Sequence, residues 1–205
     1  MSDEIRLGVT GHRPHKLNQA RLHIIAADLA RVLAAAKSRF APRPVACISS
    51  LAEGADTMAA KAALALGLRL VAPLPFPADD YAQDFADGPP RQTLHDLLAR
   101  AEVSICTTGR AALDQDAFGY RAASMAMLDK SHALLAVWDG QYTHLLGGAF
   151  DTVSEALGRG MDVLWVDARG ASPPRLLGAA DLAALAAGGA PTGHGDETAF
   201  LDGLV

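Results

Sequence analysis

Short, mostly apolar runs recur along the chain, each followed by a polar break and a longer stretch of helical periodicity. The runs at 5–9, 44–48, 68–73, 102–106, 133–138 and 162–166 predict strands, most of them buried on both faces. Between them, 17–37, 56–66, 119–129 and 149–159 predict helices, with shorter helical pieces near 79–86 and 91–100. Gly67 and Gly160 fall where helix C-caps sit. This alternation implies right-handed crossovers, hence an α/β three-layer sandwich: a mostly parallel sheet with helices on both faces. From Gly170 onward Gly, Ala and Pro dominate. There 179–187 predicts a weak helix, 188–196 a flexible stretch and 197–204 a last short turn. The expected organisation is one domain over 1–168 and a tail over 169–205.

The polar breaks carry the candidate chemistry. The first strand exits into Thr10-Gly11-His12-Arg13-Pro14, and the second into Ser49-Ser50-Leu51-Ala52-Glu53-Gly54-Ala55-Asp56. The run 133–138 exits into Asp139-Gly140, with Gly147-Gly148-Ala149-Phe150-Asp151-Thr152 opening the next helix. In open α/β sheets ligands bind beyond the carboxyl ends of the strands. A helix N-terminus there offers unpaired N–H groups and a positive dipole end to an anion. Gly54 would let a ligand approach the backbone, Ser49 and Ser50 offer hydroxyls, and Arg13 sits where a phosphate would lie. The same residues also admit a bland reading, with Ser50 or Asp56 as helix caps and Glu53 solvated. The stretch Pro73–Pro77, with Tyr81 and Phe85 after it, is either a lid that stacks on a base or a rigid turn whose Phe76 and Phe85 enter the core.

Composition narrows the classes. The chain has 205 residues, half of them hydrophobic, enough for one sizeable core. No apolar run reaches the ~18 residues of a membrane span. The acidic start Met1-Ser2-Asp3-Glu4 does not read as a signal peptide, so a cytoplasmic protein is expected. Cys47 and Cys106 fall inside expected strands and read as small buried hydrophobes in a reducing compartment. Net charge is −5, yet residues 1–43 hold eight of the eighteen Lys and Arg. The acidic balance argues against non-specific nucleic-acid binding, which needs a basic surface.

Several enzyme classes are not signalled. Gly8 and Gly11 do not make a dinucleotide fingerprint, no P-loop Lys-Ser/Thr follows a glycine pair, and no Gly-x-Ser-x-Gly elbow exists. His12 and His15 lack further ligands nearby, so neither a metal nor a cofactor is expected. What remains is a nucleotide-sized site of glycines, hydroxyls, Arg13 and the carboxylates Glu53, Asp56, Asp139 and Asp151. Such carboxylates accept hydrogen bonds from ribose or an exocyclic amine, or assist glycosidic cleavage.

In these four blocks the chain resembles the SLOG superfamily, Rossmann-like domains related to the Lonely Guy phosphoribohydrolases and to the core of DNA-processing protein A. The resemblance runs over about 5–166 and rests on Val9–Pro14, Ser49–Asp56, Pro73–Pro77 with Tyr81 and Asp84-Phe85, and Trp138–Gly140 with Gly147-Gly148 and Asp151–Val153. It implies a nucleotide or nucleotide-derived ligand at the strand C-termini, held by Thr10–Arg13, Ser49, Ser50, Glu53, Gly54, Asp56, Asp139, Gly140, Gly147, Gly148, Asp151 and Thr152. It implies either a ligand sensor, or an N-ribosyl hydrolase or transferase with Glu53 or Glu155 as acid/base, or, third, a nucleic-acid-binding protein like the DNA-processing relative; a homodimer is a separate expectation. The hydrolases carry Gly-Gly-x-Gly-Thr-x-x-Glu. Here Phe150 and Asp151 replace Gly-Thr, Ala149 stands where sensor-type members have Thr, and Glu155 comes one residue late, about 100° round the helix. The expectation is therefore ligand binding without turnover.

Overall fold

The computed structural model describes residues 4–110 and 115–204; Met1–Asp3, with most of the acidic start, lie outside the described residues. Six apolar runs form parallel strands: β1 Ile5–Gly11, β2 Val45–Ser49, β3 Arg69–Leu74, β4 Glu102–Ile105, β5 Ala133–Trp138 and β6 Asp162–Asp167. A seventh, β7 Arg175–Leu177, pairs antiparallel with β6. The order across the sheet is β4-β3-β2-β1-β5-β6-β7. The helices are α1 Leu22–Phe40, α2 Ala55–Ala65, α3 Ala78–Ala82, α4 Pro89–Leu98, α5 Asp116–Lys130, α6 Ala149–Gly158, α7 Ala179–Ala186 and α8 Glu197–Asp202.

The inner strands β1, β2, β3, β5 and β6 read as apolar because both of their faces are covered, whereas the edge strand β4 leaves Val103 and Ile105 exposed. On β5, Ala133, Leu135 and Val137 join the core under α1 and α2, while Leu134, Ala136 and Trp138 pack with Met127 of α5 and Val153 of α6. This is the expected α/β three-layer sandwich. Phe76 and Phe85 are fully buried, which settles their role in the core.

The boundaries differ from the periodicity in places. The helix expected from residue 17 begins at Leu22, because Pro14–Lys16 and Gln19–Arg21 form two separate 3-10 turns. Asn18 holds the second, its side chain accepting from the Ala20 N–H at 3.1 Å. Cys47 is buried in β2, but Cys106 lies one residue past β4 and is only half-buried. The C-terminal stretch supplies β7, α7 and α8, and Phe200 and Leu201 enter the core beneath α1. The stretch 188–196 is pinned, since the Asp181 carboxylate accepts the N–H groups of Thr192 (2.8 Å) and Gly193 (3.0 Å).

Strand order fixes where a ligand can go. β1 to β4 step outward on one side; β5 returns to the other side of β1 and β6 continues from it. The C-terminal ends of β1 and β5 therefore flank the point where the winding direction reverses, the place where open α/β sheets leave a crevice.

Candidate functional site

A cavity of about 310 Å³ opens at that point. Thr10 and Gly11, at the end of β1, form its floor. Arg13, His15 and Lys16 line it from the following loop, Ser50 and Asp56 from the β2–α2 junction, and Tyr81 from α3. Tyr120, Ser124 and Met127 of α5 and the stretch 145–150 close the remaining sides. The volume falls at the small end of the range that holds small ligands.

The β2–α2 junction is strained and packed. Leu51 has φ of 60°, a conformation side chains rarely adopt, and is fully buried. Ser49 Oγ donates to Asp56 Oδ2 at 3.2 Å and accepts the Leu51 N–H at 3.2 Å. Asp56 is 5% exposed. Burial pushes its carboxyl up to about 7, against the opposing pull of Ser49, nearby backbone donors and the Arg13 charge. Gly54 has φ of 110°, and a Cβ there would lie 2.5 Å from the His12 carbonyl oxygen. Its backbone is thus approached by the first loop, whose His12 carbonyl accepts the Ala55 N–H at 3.1 Å.

His12 is buried, with Nε2 3.0 Å from Asp139 Oδ1 and 3.2 Å from the Asp139 backbone N. Both partners compete for one ring nitrogen. The carboxylate is the stronger, so we assign the proton to Nε2. Burial holds His12 below its ordinary pKa even so, outweighing Asp139. Burial also works against ionisation of Asp139, but His12 and the Gln141 N–H win and lower its pKa. This pair ties the β1 exit to the β5 exit.

Arg13 is half-exposed, 3.6 Å from Asp84 Oδ2, with its guanidinium 5.7 Å from the Tyr120 ring centre. Asp84 also accepts from Arg110 and from the Tyr120 hydroxyl. Arg110 in turn lies 4.3 Å over the Phe76 ring.

The loop before α6 divides its work between two glycines. Gly147 has φ of 71°, and a Cβ there would lie 2.5 Å from the Arg121 backbone N. Its N–H donates to Asp151 Oδ2 at 2.9 Å, and Asp151 takes both oxygens to Arg121 Nη1, at 2.5 and 2.6 Å. Gly148 is extended (φ −82°) and lines the cavity. The Thr152 hydroxyl donates to the Gly148 carbonyl at 3.0 Å and is fully buried.

Of the residues expected at the site, Thr10, Gly11, His12, Arg13, Ser50, Asp56, Gly147 and Gly148 come together around the cavity. Ser49 and Asp139 stand behind it, holding Asp56 and His12. Asp151 and Thr152 serve the α6 turn, and Gly140 (φ 77°) packs near Trp165 and Pro191. Glu53 and Gly54 line a separate groove with Lys61 and Pro89. Glu155 is held by Arg159 (2.9 Å) and Arg121 (3.5 Å). The α5 side chains were missed. Their only signal is a pair of polar residues, Tyr120 and Ser124, four apart on a helix that buries that face. Among the described residues no group of three or more His, Cys, Asp or Glu is arranged to hold a metal ion. Among them, too, no helix is long and apolar enough to cross a membrane.

No family model and no curated protein matches the sequence. Among solved structures the chain is similar to DNA processing protein A (DprA) from Streptococcus pneumoniae, with a TM-score of 0.55 and 18% sequence identity. The match covers 78% of this chain and 50% of that one. The likeness is one of fold: a Rossmann-like α/β sandwich, of which this chain spans about half the neighbour's length.

Proposed function

We propose that the chain belongs with the SLOG superfamily and binds a nucleotide or nucleotide-derived ligand in the cavity between the ends of β1 and β5, acting as a sensor or ligand-binding protein. One observation carries this reading. A cavity of about 310 Å³ at the winding reversal brings three side chains suited to an anion, Arg13, His15 and Lys16, together with Gly148-Ala149-Phe150 at the N-terminus of α6. The first N–H groups of a helix have no partner within it and favour a phosphate. Tyr120, Met127 and Phe150 offer apolar surface for a base.

Binding is preferred over N-ribosyl hydrolysis because the two expected acid/base residues lie away from this cavity. Glu53 lines the second groove and Glu155 is paired to arginines. The test is a thermal-shift panel of nucleoside mono- and diphosphates and ribosylated relatives. At a hundredfold excess over Kd the linkage gain is about 2.7 kcal/mol, several degrees for a chain of this size. A millimolar panel in which no member shifts the melting temperature overturns the reading.

A further inference from the structure

Asp56 is a carboxyl placed where an anion-binding cavity should not tolerate a charge. It is 5% exposed and it lines the same cavity as Arg13, His15 and Lys16. The groups that bear on it come from each neighbouring element. Arg13 is on the loop after β1, Tyr81 on α3, and the buried Cys47 on β2; Ser49, also on β2, is its hydrogen-bond donor. Burial keeps the Tyr81 hydroxyl and the Cys47 thiol neutral, the thiol pushed up to about 12. Among these, Arg13 is the charge that offsets an ionised Asp56, and Arg13 also leans 3.6 Å from Asp84.

An anion that engages Arg13 takes that compensation away and adds a like charge beside a buried carboxylate. Burying an uncompensated carboxylate is costly, and such a group neutralises instead. Resting on the reading of the cavity as an anion site, we propose that Asp56 is its specificity-determining residue: it admits an anionic group beside Arg13 as the neutral acid, so that an ionised Asp56 takes up one proton with the anion and an already neutral one takes up none. The proton comes from solvent and returns there when the anion leaves; no covalent bond changes. The resting state suits this role, because burial already brings Asp56 to about 7, where the proton is available at little cost. A ligand chosen by such a site presents an anion at Arg13 and an oxygen acceptor toward Asp56. A ligand that is cationic there is rejected.

The experiment is a calorimetric titration of wild type and Asp56→Asn from pH 6 to pH 8 with two probes, sulfate and adenosine 5′-monophosphate. Sulfate keeps one charge state across the range, and Asn mimics the neutral acid at every pH. With Asp56 at about 7 in the free protein, the two proteins should bind alike at pH 6. At pH 8 the wild type should be roughly tenfold weaker, since each unit above the pKa lowers the neutral fraction about tenfold. Ser49→Ala removes the donor that favours the ionised form, so its break should move to higher pH; it serves also if Asp56→Asn folds poorly. Parallel curves, or an Asp56→Asn protein that binds worse than wild type at pH 8, overturn the proposal. If sulfate shows the divergence and no nucleotide binds, the nucleotide reading fails and this one stands. If the monophosphate binds and the curves stay parallel, the reverse holds. If neither anion binds at tens of millimolar at pH 6, both fail.

Discussion

The two glycines before α6 make opposite predictions, although they are adjacent and chemically identical. Gly147 sits at φ 71°, and an added Cβ would lie 2.5 Å from the Arg121 backbone N and 2.8 Å from the Tyr120 carbonyl carbon. Holding an L-residue in the left-handed region costs about 1–2 kcal/mol. Overpacking against backbone adds about 1–3 kcal/mol. The sum for Gly147→Ala is roughly 2–5 kcal/mol, and at about 2–4 °C per kcal/mol for a chain of this length the melting temperature should fall by roughly 4–20 °C. Gly148 has φ −82°, and its Cβ would meet mainly Leu145, with the carbonyl oxygen at 3.1 Å and Cδ2 at 3.4 Å. Leu145 is exposed, so its side chain can turn aside, and its carbonyl need shift by only a few tenths of an ångström. Gly148→Ala should therefore cost about 1 kcal/mol or less. Gly148→Val should stay folded, yet weaken binding of the best nucleotide at least tenfold, about 1.4 kcal/mol, because its side chain enters the cavity. Differential scanning calorimetry reads the first quantity and titration calorimetry the second. A folded Gly148→Val protein of unchanged affinity would refute the placement of the ligand against this loop. An unaltered melting temperature for Gly147→Ala would refute the packing argument.

Three further outcomes are expected. Asp151→Ala leaves the Gly147 N–H and the Arg121 guanidinium without their shared acceptor, so stability should fall by about 1–3 kcal/mol by denaturant titration. His12 is neutral when folded because burial lowers its pKa below 6.5. The unfolded chain then binds more protons below about 6.5, so stability present above that pH is lost as the pH falls through it; His12→Gln should flatten this part of the curve of melting temperature against pH. Arg13→Ala should weaken nucleotide binding at least tenfold, while Glu53→Gln leaves it within about twofold, and chromatography should show no base released from nucleoside monophosphates by the wild-type protein.

How much of this was legible depends on what each residue does locally. β1, β2, β5 and β6 were readable because strands buried on both faces leave continuous apolar runs, as in Ala133–Trp138. β7 was not, since Arg175–Leu177 is three residues long and its pairing with β6 is a tertiary event. The start of α1 is hidden because the apolar residue Leu17 fits a helical period, although the chain on either side of it turns in 3-10 form. The exits of β1 and β2 and the glycine pair before α6 meet at one cavity, as the polar breaks after apolar runs suggest. They could not say which way a side chain faces. Asp151 and Asp56 look equivalent in sequence, yet one caps its own turn and the other lines the cavity. Tyr120, Ser124 and Met127 left almost no trace, since a helix that lines a cavity and a helix that lines the core carry the same pattern.

The most direct test is the structure of the protein crystallised with the nucleotide that shifts its melting temperature furthest. The prediction is density between the Thr10–Lys16 loop and Gly148–Phe150, with the phosphate within hydrogen-bond distance of the Ala149 or Phe150 N–H and of Arg13, and the base against Tyr120. A ligand seated instead in the groove of Glu53 and Lys61, or a phosphate remote from both Arg13 and the start of α6, contradicts it.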